Sequence, residues 1–371
     1  MPRFVNILYN GMLAKGHQVD ICTAKAYFYN LPFPNKVKKW LGYIDQYILF
    51  PITLKRKIKR GFSDTLFVFS DHALGPWVSL VKNLPHVIHC HDFLAQRSAK
   101  GQIPENSTSF TGRQYQKYIH RGYSQGKNFI SVSKKTQNDL HEFLEEQPNS
   151  SEVVYNFLNP LIIQKEIIKS RTTFSQIVNT DLSAGYILHV GGNQWYKNRN
   201  GVLNIYNAWR NNSKLVLPLI MIGSPPNYEL ENLRQNSLFK KDIYFVQGVD
   251  DEMLNFAYSG SKVLLFPSLA EGFGWPIAEA MECGCVVVTT NEAPMTEVAG
   301  DSALLIPKLS FDQSIKEWSQ VCAVVLERAI GMSSDERISM VKKGKLNAQR
   351  FKAEYILTEI ETIYKKILLN N

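Results

Sequence analysis

Apolar positions along this chain alternate between two rhythms. Short, nearly unbroken runs fall at 65–69 (TLFVF), 86–89 (HVIH), 127–132, 152–155, 185–190 (GYILHV), 243–246, 263–266 and 285–289. Each is the length of a strand buried on both faces. The run at 215–222 (LVLPLIMI) holds another, its regular part starting after Pro218. Helical spacing links Phe4, Val5, Leu8, Met12 and Leu13, and Gly16 ends that helix; residues 16–22 then read as a turn into a strand. Ser133 and Asp250 stand as caps of helices running to about residues 144 and 258, another helix starts near Asn200, and the last covers about 354–369. Residues 158–183 are polar without a strong period and read as a linker.

The richest stretch is 262–306, KVLLFPSLAEGFGWPIAEAMECGCVVVTTNEAPMTEVAGDSALLI. Between its two strand-like runs lie the loop Glu271-Gly272-Phe273-Gly274 and a helix that Pro276 can open and Gly284 can close. Strand, glycine loop, helix, strand is a parallel α/β unit with a helix N-terminus at the strand's carboxyl edge. Glycine at 272 and 274 lets backbone N–H groups approach a ligand, and a helix N-terminus favours phosphate. Glu271 and Glu279, about one turn into the helix, make sense beside a phosphate if they accept hydroxyls. The ligand so described is a sugar nucleotide. Singly, each Glu is an ordinary loop or first-turn charge. A second glycine loop, Gly191-Gly192-Asn193, follows the run at 185–190, and Lys197 adds a cation suited to a diphosphate leaving group.

Composition narrows the class without naming it. The chain has 371 residues, enough for two domains, and 44% hydrophobic and 12% aromatic residues, as in globular proteins. No run of about 18 apolar residues predicts a membrane span, and MPRFVNILYN lacks a secretory h-region. Five scattered cysteines suggest reduced thiols and the cytoplasm. Cys283-x-Cys285 has no His or Cys at ligand spacing nearby and reads as core. The net charge of +9 is concentrated partly in KVKKW (36–40) and KRKIKR (55–60). No nucleic-acid-binding signature accompanies it, so nucleic acid is not an expected partner. In 29–61, Trp40, Leu41, Ile44, Tyr47 and Ile48 share a helical face flanked by basic residues. Two readings follow: an interfacial helix on anionic membrane at the inner face of the plasma membrane, or an amphipathic helix packed on the sheet, the second being preferred.

Glu271 and Glu279 with EGFG, the following EAM and APMTEV–AGDSALLIP resemble the donor-site signature of glycosyltransferase family 4, retaining enzymes of the GT-B fold. The resemblance implies two Rossmann-like α/β domains facing across a cleft. An acceptor-side domain would span 1–157, the linker 158–183, and a nucleotide-sugar domain 184–349, with a helix at 350–371 crossing back to the first. It implies that Glu279 holds the ribose, Glu271 a sugar hydroxyl, and Lys197, Asn193 and Gly192 the diphosphate beside the Gly272-Phe273-Gly274 amides. Gln247-Gly248-Val249 resembles the family's nucleobase loop, and His91-Asp92 its active-site histidine, although His89 would share a face with His91 in a strand. Of the two cations usual in the family, only Lys197 stands in place. The family's first strand and glycine loop are absent, with Met1-Pro2-Arg3 resembling that loop's end. The expectation is an N-terminal domain lacking its first strand, from a start downstream of the true one.

The implied reaction is transfer of a hexose from a UDP- or GDP-sugar to a glycan or lipid-linked hydroxyl, with retention, in cell-envelope polysaccharide synthesis. No D-x-D triplet occurs, so neither a metal nor another cofactor is expected. A sugar-nucleotide epimerase of the same fold, or a non-catalytic binding or scaffold protein, are the alternatives.

Overall fold

A computed structural model describes residues 2–58 and 64–370. Their ten strands form two sheets. The first has β1 (Phe67–Phe69), β2 (His86–Cys90), β3 (Asn128–Ser131) and β4 (Ser150–Val153), side by side in that order. The second has β5 (Ile187–Val190), β6 (Leu219–Ile222), β7 (Ile243–Val246), β8 (Val263–Phe266), β9 (Val286–Thr290) and β10 (Ala303–Ile306), in the order β10-β9-β8-β5-β6-β7. Every ladder is parallel. Parallel neighbours need crossovers, and the helices that supply them cover both faces of the second sheet. Ile187 and Leu188, adjacent on β5, belong to cores on opposite faces.

Strand order in the second sheet reverses between β5 and β8, so the loops after these strands diverge and leave a crevice at their carboxyl ends. The Gly191 loop follows β5 and the Glu271 loop follows β8. The final helix, Ala353–Leu369, returns to the first sheet. Its Ile356, Leu357, Ile360, Tyr364 and Ile367 share a core with Phe4, Leu8 and Met12 of the helix Pro2–Ala14 and with Val87 and Ile130.

Five expectations change. Residues 17–26 form no strand and Ile21 is 54% exposed: they do not pair with β1, which stays the free edge of the sheet with Val68 39% exposed. The stretch read as a linker contains the helix Ile167–Val178, whose N-cap Glu166 accepts from the Ile168 and Lys169 N–H groups while Ser170 and Phe174 are buried. β4 runs two residues ahead of the predicted 152–155, and a short helix, Leu94–Ala99, occupies part of a predicted loop. Between the helices Asn35–Ile44 and Phe50–Ile58, a π turn at Asp45–Leu49 shifts the helical register. Buried Asp45 then accepts from the Phe28 and Tyr29 N–H groups, Tyr47 meets Tyr115 at 2.8 Å, and Trp40 and Ile48 face outward, 66% and 54% exposed. Lys59 and Arg60 of the basic run lie outside the described residues.

Candidate active site

The loop after β8 is held from two sides. The Thr289 and Thr290 hydroxyls on β9 donate to the Phe266 and Ser268 carbonyls at 3.0 and 2.8 Å. From the β5 side, the Asn198 amide donates to Pro267 O at 3.0 Å, and Leu269 N–H to Tyr196 O at 2.7 Å. The two glycine loops therefore form one wall. Asn198 also caps the helix Arg199–Asn212 by accepting from Gly201 N–H. Gly274 has a φ of 102°, in the left-handed region that favours glycine, and from it the helix Trp275–Glu282 starts. Phe273 turns into the core against Tyr155, Trp275 and Phe351, so only its backbone faces the crevice.

On this wall Lys197 Nζ lies 2.6 Å from Glu271 Oε1, with the two side chains 15% and 8% exposed. Burial raises the Glu271 carboxyl above its usual range, and Lys197 opposes that shift. Glu279 is likewise raised by burial, and likewise opposed by a cation, Arg3. Arg3 Nη1 sits 3.2 Å from Glu279 Oε1 and its Nη2 3.1 Å from Asp251 Oδ1. The Tyr258 hydroxyl donates to Glu279 Oε2 at 2.9 Å. Both carboxylates expected to hold donor hydroxyls are thus ion-paired within the chain.

The facing wall comes from the first sheet. His91 follows β2, buried, with Nε2 3.0 Å from Ser70 O and its ring edge-on to Phe4 at 4.6 Å. Burial lowers its pKa, against the pull of Asp71. His89 is spent elsewhere: its Nε2 meets the Tyr364 hydroxyl at 2.6 Å and burial depresses it to about 3. Of the two histidines, His91 is the one whose backbone oxygen lies against the opposite wall, at Gly272, while its ring is bonded to Ser70 O. A Cβ on Gly272 would fall 1.7 Å from His91 O, so only glycine permits the two walls to meet this closely. Ser133, the cap of the helix Lys134–Phe143, donates to Gly272 O at 2.8 Å. Glu297 accepts from the Lys134 and Lys135 N–H groups at 2.8 and 2.9 Å, an anion at that helix's N-terminus.

Asn193 departs from its expected place. Its amide donates to Pro225 O at 2.7 Å and its oxygen accepts from Arg199, so the side chain is committed away from Lys197. Arg199 is 5% exposed, donates to Ser224 O at 2.9 Å, and leaves Nε and Nη2 without a partner. Val249 packs at the edge of the core beside Gly248, whose φ is 67°. Gly192 lies in the loop, facing Gln194. Sequence reasoning missed Arg3, Asp251 and Tyr258. Arg3 lies 276 positions from Glu279 and no local spacing connects them. No group of three or more His, Cys, Asp or Glu able to hold a metal occurs among the described residues.

A crevice at a strand-order reversal, walled by two glycine loops and a second parallel α/β unit, defines a two-domain nucleotide-binding class. The profile described as "Glycosyltransferase Family 4" matches residues 1–160, and "Glycosyl transferases group 1" matches residues 170–323. The chain belongs to the family 4, group 1 glycosyltransferases, and its fold is GT-B.

Among similar proteins, O-antigen chain mannosyltransferase B of Escherichia coli is 34% identical over 123 residues, 33% of this chain and 32% of that protein. O-antigen chain mannosyltransferase RfbU of Salmonella typhimurium is 22% identical over 200 residues, 53% of this chain and 52% of that protein. These matches thus span a third to a half of the relatives' lengths. Among solved structures, sucrose-phosphate synthase from Thermosynechococcus elongatus has a TM-score of 0.75 at 16% identity, covering 100% of this chain and 94% of that one. WaaG, a glycosyltransferase involved in lipopolysaccharide biosynthesis, has a TM-score of 0.69 at 14% identity, covering 98% and 95%. Anabaena HepE in complex with UDP and glucose has a TM-score of 0.68 at 17% identity, covering 91% and 84%.

Proposed function

We propose that this chain transfers a hexose, with retention, from a UDP- or GDP-sugar to a hydroxyl of a glycan or lipid-linked acceptor during cell-envelope polysaccharide synthesis. The observation that carries the reading is the Lys197–Glu271 pair at the helix N-terminus that also bears Glu279. A diphosphate seated there meets the Lys197 ammonium and the amides of Gly272, Phe273 and Gly274, which stabilise charge developing on the leaving nucleotide. Glu271 accepts a sugar hydroxyl, Glu279 the ribose, and the Val249 loop backs the base. His91, from the opposite wall, contacts the donor sugar near the reacting carbon. The mannosyltransferase relatives make mannose the first hexose to try, and the UDP-bound HepE makes UDP the first nucleotide. No metal takes part in this reading; the cations are the chain's own.

On the acceptor side, Tyr27, Phe33 and Trp40 are 61%, 49% and 66% exposed beside Lys36, Lys38 and Lys39, which suits contact with anionic lipid at the membrane surface. No helix among the described residues is long and apolar enough to cross a membrane.

Calorimetric titration with UDP, GDP and ADP, beside Glu279→Ala, tests the donor site. One diphosphate should bind, and the variant should bind it about tenfold or more weakly. A folded chain that binds none of the three would overturn the proposal in favour of a scaffold. Turnover of labelled donor without an added acceptor would favour an epimerase.

A further inference from the structure

The crevice satisfies its own charges. Each carboxylate expected to take donor hydroxyls has a cation against it, Lys197 on Glu271 and Arg3 on Glu279. Glu279 is screened as well as bonded: Arg3 lies on Oε1, Tyr258 donates to Oε2, and the side chain is only 4% exposed, so its remaining acceptor sites face protein. A ribose can reach it only if one partner leaves. Tyr258 is fully buried, whereas the Arg3 side chain is 39% exposed and its contacts, at 3.1 and 3.2 Å, are at the long end for a charge-assisted pair. Arg3 is the partner free to go.

Where it goes follows from charge. A nucleoside diphosphate brings at least two negative charges into a crevice where Glu271 already neutralises Lys197. Asn193 has no charge and is bound to Pro225 O. The Arg199 guanidinium lies on the other side of the sheet, over the Phe245 ring at 5.5 Å, in the core that faces away from Glu279. The cation at the site that is part-exposed and held only by long contacts is Arg3. Its backbone is fixed, because the next residue, Phe4, is 2% exposed, stacked on Phe157 at 5.1 Å and edge-on to His91. Only the side chain must turn, between Glu279 on one wall and His91 on the other.

We propose that Arg3 is a donor-binding residue that exchanges partners: it holds Glu279 while the site is empty and turns onto the diphosphate as the ribose takes Glu279. The inference rests on the donor-site reading above. It supplies the second cation from the opposite domain, so donor binding draws the two walls together.

The test is titration of the full chain, wild type, Arg3→Gln, Arg3→Lys and Asp251→Asn, with UDP, UMP, GDP and GMP. With the base that binds, Arg3→Gln should weaken the diphosphate about tenfold and the monophosphate much less, a loss of diphosphate preference that Arg3→Lys partly restores. Asp251→Asn, which loosens Arg3 only in the empty state, should leave diphosphate affinity unchanged or somewhat tighter. If Arg3→Gln tightens both nucleotides, Arg3 is a plug and the exchange is wrong. Equal weakening of both, or no change, makes Arg3 a strut and is equally fatal to it. If wild type binds neither diphosphate, it is the donor-site reading that fails.

Discussion

The two sheets answer one problem, the burial of a parallel sheet, with unequal completeness. Both carry a core on each face and bury inner strands at every residue, β2 and β3 in the first and β6, β8 and β9 in the second, but the second has six strands. The first has four, and its β1 edge is three residues long with Val68 exposed. Its chemistry is also less self-contained. It borrows the final helix for a core, Gly272 O for Ser133, Glu297 for a helix N-terminus, and Phe157 O is used by Trp275 at 3.1 Å. Crossing contacts complete the half built on the first sheet, the proposed acceptor half, more than the half built on the second, the proposed donor half, whose core takes in Val132 and Tyr155. Damage at the junction should therefore register first in the acceptor half.

The largest expected effect is at Gly272. In Gly272→Ala the added methyl meets the His91 carbonyl oxygen at 1.7 Å, a backbone atom that cannot swing aside, and the walls must part. Transfer should fall about a hundredfold, as expected when reacting groups shift by an ångström. Limited proteolysis should speed up in residues 64–157 while the donor half keeps its protection. Equal loss of protection in both halves would refute the asymmetry.

Lys197→Met should act within the donor half instead. It leaves Glu271 buried without a counter-charge, so diphosphate affinity should drop by about two orders of magnitude. The sign of its pH dependence follows from the direction of the shift. A carboxyl raised above its unfolded value binds protons better when folded, so the variant regains stability as pH falls from 7 through that raised pKa. Melting curves at several pH values would check this, and a variant that melts lower in acid would contradict it.

Much of the donor half was legible because its signals are local. Strand, glycine loop and helix follow one another over 263–282, and Gly272, Gly274 and Glu279 work within that span. The caps Ser133 and Asp250 were equally readable, each accepting from an N–H three residues on. The acceptor half was legible only in part. Residues 17–26 carry an apolar pattern without a strand, since a ladder depends on a neighbour that the pattern does not encode. The π turn at Asp45–Leu49 is a tertiary solution, set by Asp45 bonding back to the chain at Phe28 and Tyr29. Arg3 and Asp251 meet only in the fold, and Asn193, placed by resemblance at the diphosphate, is claimed by Pro225 O.

The smallest effect, absent at neutral pH, comes from buried histidines. In the acceptor half, burial lowers the pKa of His86, His89 and His91, with His89 at about 3. In the donor half His189 is lowered to about 3, with Nδ1 3.0 Å from Leu265 O. A depressed histidine takes its proton first in the unfolded chain. Its stabilisation is complete above pH 6.5, the unfolded value, and is lost as pH falls towards the folded one, by up to about tenfold in the unfolding equilibrium per group per pH unit. The donor half has an offset, since Glu271 and Glu279 are raised and gain from acid. Between pH 6.5 and 5 the acceptor half should therefore lose hydrogen-exchange protection more steeply than the donor half. His89→Gln, which keeps a polar group near the Tyr364 hydroxyl but cannot titrate, should reduce that slope by about one proton's worth and leave the donor half unchanged. Parallel slopes in the two halves would mean that acid opens the chain as one cooperative unit, with the crossing contacts stronger than either half.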